Sequence, residues 1–228
     1  MSVIARYSDV YSGNCSLTIT DNASLRMTPN QFHKLAGQSF SPPASVTITG
    51  AKISDLSTIE TDVASAEYIS LSGVEISDTA GNIATNITRF KPPIDLSINP
   101  GFEYVTKISI LPNAPLPLSV DDYNQSPDGL DLISGPFSVN ITDPLPISDF
   151  FNLSPPPSSG TIFGSISDTA SNISTNFDNL QAAAKTKTIT NINVSDTDPV
   201  ALTFSQLTTG SDALRLLNKN LYKLNIAS

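Results

Sequence analysis

Few side chains in this 228-residue chain are equipped for chemistry, and their spacing decides against most kinds. There is one histidine, His33, and one cysteine, Cys15. A thiolate–imidazole nucleophile needs the two within hydrogen-bond reach, and His33 falls in a predicted helix where an imidazole on the surface needs no role. Zinc needs three or four nitrogen or sulfur ligands, more than one His and one Cys supply. Neither G-x-G-x-x-G nor G-x-x-x-x-G-K-[ST] occurs, so nucleotide-dependent chemistry is not expected. A polysaccharide-cleaving enzyme would need clustered acids with Lys or Arg on one face, and the pattern offers none. Oxygen ligands remain. Asp21, Asp143, Asp196 and Asp198 fall in predicted turns, where stacking could align carboxylates for Ca²⁺. The glycine-rich nonapeptide and the D-x-D-x-D-G loop are both missing, and most other Asp residues read as helix caps or turn formers. The expectation is a non-enzymatic protein with no cofactor beyond calcium at those four aspartates.

These residues sit on a repeating framework. Ile76-Ser-Asp-Thr-Ala-Gly-Asn-Ile-Ala-Thr-Asn-Ile87 and Ile166-Ser-Asp-Thr-Ala-Ser-Asn-Ile-Ser-Thr-Asn-Phe177 agree at nine of twelve positions, 90 residues apart. Self-similarity at fixed spacing marks supersecondary units stacked on one another. Eight period-two strand starts follow the chain: Ser16–Thr20, Ser45–Thr49, Tyr68–Ser72, Thr106–Ile110, Phe137–Ile141, Thr161–Phe163, Thr188–Ile192 and Tyr222–Ile226. After most of them comes a tight turn, at Gly50, Gly73 or Gly164 for example, and a second short strand: Leu25–Met27, Lys52–Ile53, Val74–Ile76, Leu116–Leu118, Ile147, Ser165–Ile166 and Ala201–Phe204. Helix caps are expected at Thr28 (with Pro29 behind it), Ser54, Ser77, Ser148, Ser167 and Ser205. Ile83, Ile87 and Phe90 mark the buried face of one helix, and Ile173, Phe177, Leu180 and Ala184 that of its sister.

The predicted fold is an α/β solenoid of about eight strand–turn–strand–helix coils, with parallel sheets and one row of short helices. At roughly 4.8 Å per coil it would be a rod about 40 Å long. Residues 1–15 are expected to form a strand-like cap or assembly segment, and 16–228 a single solenoid. Proline-rich loops are expected near 91–101 and 152–160, where proline cannot join a ladder.

Charge and composition narrow the function. Charged residues make up 14%, Trp is absent, and 21 acidic against 12 basic residues leave a net charge of −9 with no Lys/Arg cluster, which disfavours nucleic acid. One cysteine excludes an intramolecular disulfide. No stretch approaches the length of a membrane span, and Met1–Asp9 has no apolar leader core, so any export is expected to proceed without a cleaved N-terminal signal or with that signal already removed.

The segment Ile166–Ala184, followed by Ile189–Val194 and Ala201–Leu207, resembles a repeat of very large bacterial surface and type I-secreted proteins, with the recurring core DTA-x-NI-x-x-N-x-x-x-L and a Thr/Ile-rich strand. About 60 C-terminal residues carry the likeness, and the Asp78 copy about a dozen. The resemblance implies an extracellular or cell-surface, structural or adhesive protein. The expected role is a homo-oligomeric subunit stacking end to end or laterally into a fibre or surface layer. The contact residues would be Val3, Ile4, Tyr7, Val10 and Tyr11 at one end, and Leu221, Tyr222, Leu224 and Ile226 at the other. The alternative is an adhesion module for a surface polysaccharide, using aromatics among Tyr7, Tyr11, Tyr68, Phe102, Tyr104, Phe150 and Phe151.

Overall fold

The computed structural model describes residues 17–18, 25–36, 40–41, 44–66, 69–90, 104–154, 160–217 and 223–227. Along them run β1 (Leu17–Thr18), β2 (Leu25–Met27), α1 (Pro29–Leu35), β3 (Phe40–Ser41), β4 (Ala44–Ala51), a 3-10 turn at Ile53–Asp55, α2 (Leu56–Ser65), β5 (Ile69–Asp78), α3 (Ala80–Asn86) and a second 3-10 turn at Ile87–Arg89. There follow β6 (Val105–Ile110), β7 (Leu116–Leu118), α4 (Val120–Gln125), α5 (Pro127–Asp131), β8 (Ser138–Leu145), α6 (Ile147–Asn152), β9 (Thr161–Asp168), α7 (Ala170–Thr175) and α8 (Phe177–Lys185). The last elements are β10 (Ile189–Val194), β11 (Pro199–Thr203), α9 (Phe204–Thr209), α10 (Ser211–Leu216) and β12 (Lys223–Ala227).

The architecture is α/β, and every described strand pair is parallel. Two sheets have four strands, ordered β2-β4-β5-β6 and β7-β8-β9-β10, and two have a pair each, β1-β3 and β11-β12. Parallel neighbours need a crossover, and a short helix or helix pair lies on most of these returns. The registers repeat. Leu25 faces Val46, Leu116 faces Val139 and Val200 faces Leu224. Val46 then faces Leu71 and Val139 faces Ile162, while Ile76 faces Ile108 and Ile166 faces Ile192. Isolated bridges Ile108–Ile133 and Ile192–Leu217 stand where β1 pairs β3. One larger block thus recurs: a strand that ends one sheet, a turn, a strand that opens the next, then a capped helix. It begins at β1–β2, again at β6–β7, and again at β10–β11.

Alternation along the strands turns Val46, Ile48, Val74, Ile76, Ile108, Val139, Ile166 and Ile192 inward, each fully buried. The helices add Phe32, Ile83, Ile87, Phe90, Ile173, Phe177 and Leu180, so one apolar core runs through all the described blocks. The two predicted helix faces are therefore buried as expected, but neither helix is continuous. The first gives way to a 3-10 turn at Ile87, and the second breaks at Asn176.

Several local expectations are corrected. Gly73 and Gly164 do not turn the chain; they lie inside β5 and β9. A Cβ on Gly73 would stand 2.7 Å from Thr106 Oγ1, and one on Gly164 3.2 Å from the Ile141 carbonyl, so these glycines permit close approach of stacked strands. Lys52–Ile53 enters a 3-10 turn and Ile147 opens α6 instead of forming second strands. The capping hydroxyls of α3, α7 and α9 belong to Thr79, Thr169 and Thr203, because Ser77 and Ser167 are still in strands and Ser205 is already helical. Pro146 precedes α6 in place of Ser148, while Lys52 and Asp55, not Ser54, stand at the starts of the first 3-10 turn and α2. Thr28 caps α1 as expected, in a reciprocal capping box with Gln31. The N-terminal segment 1–15, the 91–101 loop and the centre of the 152–160 loop lie outside the described residues.

Candidate functional site

The most organised polar feature is a stair of four carboxylates, each tying one strand–helix unit, or coil, to the unit before it in the chain. Asp78, at the end of β5, accepts the N–H of Ile53 at 3.0 Å, the first residue of the helical turn one coil earlier. Asp143 accepts Val120 N–H at 2.9 Å, Asp168 accepts Ile147 N–H at 2.9 Å, and Asp196 takes Ala170 N–H at 3.2 Å on both oxygens. Each donor is the first N–H of a helix in the preceding coil. Helix starts leave such N–H groups without an intrahelical partner. At Ile53 and Ile147 the local cap positions, Lys52 and Pro146, offer the turn no capping side chain, so the following coil supplies it.

Asp78 and Asp168 make the same further contacts. Oδ1 of Asp78 accepts Thr79 N–H at 2.7 Å and the Asn82 amide at 2.8 Å; Oδ1 of Asp168 accepts Thr169 N–H at 2.8 Å and the Asn172 amide at 2.7 Å. Burial pulls the Asp78 carboxyl upward, but bonds from Ile53, Asn82 and Thr79, with Lys52 nearby, outweigh it and leave the pKa below the ordinary value. At Asp168 burial is likewise outweighed, by Ile147, Asn172 and Thr169. The repeated D-T-A-x-N thus encodes a carboxylate, its own helix cap and the amide that steadies it.

On the outer sheet face hydroxyls repeat the theme. Ser72 donates to Val46 O at 2.8 Å, Thr190 to Gly164 O at 3.0 Å, and Ser134 and Thr142 to Ile108 O and Leu118 O, each at 3.2 Å. Every acceptor belongs to the neighbouring strand. This is why Ser and Thr dominate the outward positions.

Of the candidate calcium ligands, Asp143 and Asp196 are helix caps, and Asp198 lends its N–H to Asp196 at 3.3 Å. Asp21 lies outside the described residues, among which no three His, Cys, Asp or Glu side chains gather. His33 is 63% exposed on α1, and its Nδ1 lies 3.0 Å from Asp62 Oδ2 on α2; Cys15 is outside the described residues. Val3, Ile4, Tyr7, Val10, Tyr11, Leu221, Tyr222, Tyr68 and Phe102 also lie outside them. Leu224 is in β12, where Ile226 is exposed. Tyr104 packs partly buried against the core, Phe150 is buried and Phe151 is exposed.

Phe151 borders a groove of about 870 Å³ between α6 and the α7–α8 pair, lined also by Asn152, Asn172, Asn176, Asn179 and Thr186. Among the described residues no Lys or Arg lines it, and the one carboxylate there, Asp168, is committed to caps. Residue types alone left both groove and stair unseen. An Asp 21–26 residues after the helical starts at Ile53, Val120, Ile147 and Ala170 was the available signal.

Compared with protein-family models, curated proteins and solved structures, the chain matches none.

Proposed function

We propose that the chain is a non-enzymatic structural protein of the bacterial cell surface, a solenoid of about eight stacked coils that self-assembles through its ends into a fibre or layer. The observation that supports it best is the carboxylate stair on parallel strands. Each of these carboxylates joins one strand–helix unit to the one before it, a contact pattern that suits a stack with growth directions. The acidic, Lys-poor surface and the likeness to DTA-x-NI repeats support an extracellular setting. Among the described residues no helix is long and apolar enough to cross a membrane. Light scattering after size exclusion, with electron microscopy of the concentrated protein in calcium and in chelator, tests the proposal. Ordered multimers are expected; a monomer at every concentration in both buffers defeats it.

The groove favours a second reading, adhesion to a neutral polysaccharide. Amides and one exposed ring suit hydroxyl-rich, uncharged ligands, and the volume suits a short oligosaccharide. Titrating cellotriose, maltotriose and chitotriose against the wild type and Phe151→Ala should show saturable binding at least tenfold weaker in the variant. No heat or chemical-shift change with any of the three at 10 mM (about −2.7 kcal/mol) counts against it.

A further inference from the structure

The groove between α6 and the α7–α8 pair has two walls built at helical spacing. Ser148, Phe151 and Asn152 line one side from a single face of α6, and Asn179, Ala182 and Thr186 line the other from a single face of α8 and its C-terminal cap. The α6 wall is short. It ends at Asn152, six residues from its start, whereas after Ile53, the equivalent stair donor in the first half of the chain, helical turns continue to Ser65.

Most polar side chains in the groove are already committed. Asp168 takes the Ile147 and Thr169 N–H groups and the Asn172 amide. The Asn176 amide donates to Asn172 O, the Ser148 hydroxyl to Asp149 Oδ1, and the Thr186 and Thr188 hydroxyls to Ala183 O, each at 3.0 Å. Asn152 and Asn179 differ. Among the described residues neither carboxamide has a hydrogen-bond partner, and both are exposed, one on each wall. Each offers two N–H donors and an acceptor oxygen. Beside Asn152 stands Phe151, 45% exposed, and one helical turn beyond Asn179 stands the exposed methyl of Ala182.

Two uncommitted amides on separate walls favour a ligand group whose donor and acceptor point apart. A trans secondary amide is such a group, since its N–H and C=O lie on opposite sides of one plane. We infer that the groove seats the acetamido group of an N-acetylhexosamine oligosaccharide: the acetamido N–H donates to Asn152 Oδ1, Asn179 Nδ2 donates to the acetamido carbonyl, the methyl rests on Ala182 and the sugar ring on Phe151. The methyl adjoins the carbonyl, so it falls on the α8 wall, where the alanine is. A plain hydroxyl can serve either amide singly but leaves the alanine uncovered. Charge agrees with this choice, because a net charge of −9 and a groove without Lys or Arg among its described residues disfavour uronate and sialate chains. The inference rests on the adhesion reading and names the ligand of that site.

The test titrates the full-length protein with chitotriose and cellotriose, which share ring and linkage and differ in the acetamido group. Chitotriose should bind about tenfold more tightly. Asn152→Ala and Asn179→Ala should each remove most of that preference with the circular dichroism unchanged. Ala182→Leu, at an exposed position where leucine suits a helix, should fill the methyl seat and bring chitotriose down to the cellotriose value. Equal affinity of the wild type for the two sugars overturns the acetamido seat and leaves adhesion standing. A preference that survives in all of these variants overturns the seat as well, and so does equally tight binding of acetyl-trialanine, which offers secondary amides without a sugar. No binding of either sugar or of maltotriose overturns both readings.

Discussion

Asp168 shows how one side chain closes an account that spans two coils. It satisfies the Ile147 N–H of the preceding helix, the Thr169 N–H and the Asn172 amide, all within 2.9 Å. Replacing it by alanine leaves those donors short of an acceptor in a largely dry place, and Asp168→Ala is expected to lower the unfolding free energy by about 3 kcal/mol. Asp168→Asn keeps one acceptor oxygen and should lose about half as much. Urea denaturation followed by circular dichroism measures both, and equal losses would show that the charge matters more than the bond count. The surface pair of Arg26 and Glu75, 2.7 Å apart but with the Arg side chain 59% exposed, illustrates the contrast. Removing it should cost less than about 1 kcal/mol.

At the scale of the elements, glycine decides how tightly neighbours stack. Gly129 lies in α5, and a Cβ there would stand 2.5 Å from the Ile87 carbonyl and 3.1 Å from Ile87 Cδ1. A backbone oxygen cannot swing aside like a side chain. Gly129→Ala is therefore expected to destabilise by about 2 kcal/mol through displacement of α5 from the second 3-10 turn. Gly81 is the opposite case. It sits in α3 with nothing within 4 Å of an added Cβ, and the sister helix has Ser171 there. Gly81→Ala should stabilise by about 0.5–1 kcal/mol, since alanine restricts the unfolded chain and suits a helix. Thermal unfolding of the two variants beside wild type should move the midpoint in opposite directions. Two downward shifts would mean that α3 is not in the packing described.

Across the described residues no buried side-chain nitrogen or oxygen lacks a partner, and Asp78, Asp143, Asp168 and Asp196 each find one in the preceding strand–helix unit. Stability is thus tied to the ionised state of Asp78 and Asp168. Their folded pKa values lie below the ordinary carboxyl value, so on acidification the unfolded chain takes up protons first. Their contribution is fully present above the unfolded value of about 4, and is lost as the pH falls through the folded values. The urea midpoint is expected to be level from pH 7 to about 4.5 and to drop below about 4, less steeply in the Asp78→Asn, Asp168→Asn double variant. An unchanged acid slope in that variant would assign the dependence to other carboxylates.

The amino-acid sequence by itself determined the strand positions, since alternation is local and each of the eight expected starts falls on a described strand, wholly or in part. It also determined the buried helix faces, Ile83-Ile87-Phe90 and Ile173-Phe177-Leu180-Ala184, because both the 3-10 and the α-helical turn keep residues three or four apart on one side. Strand pairing in parallel followed from the helical returns. Only the tertiary structure decided that Gly73 and Gly164 run straight through a strand, because that depends on Thr106 and Ile141 in other coils. It alone assigned Asp78, Asp143, Asp168 and Asp196 to helices of the preceding coil. A cap seen in sequence is sought within three residues of its helix, whereas these act across 21–26 residues through a register set by the length of each return. The exposure of Ile226 is decided in the same way, by which strand lies next to it and not by the residues beside it in the chain.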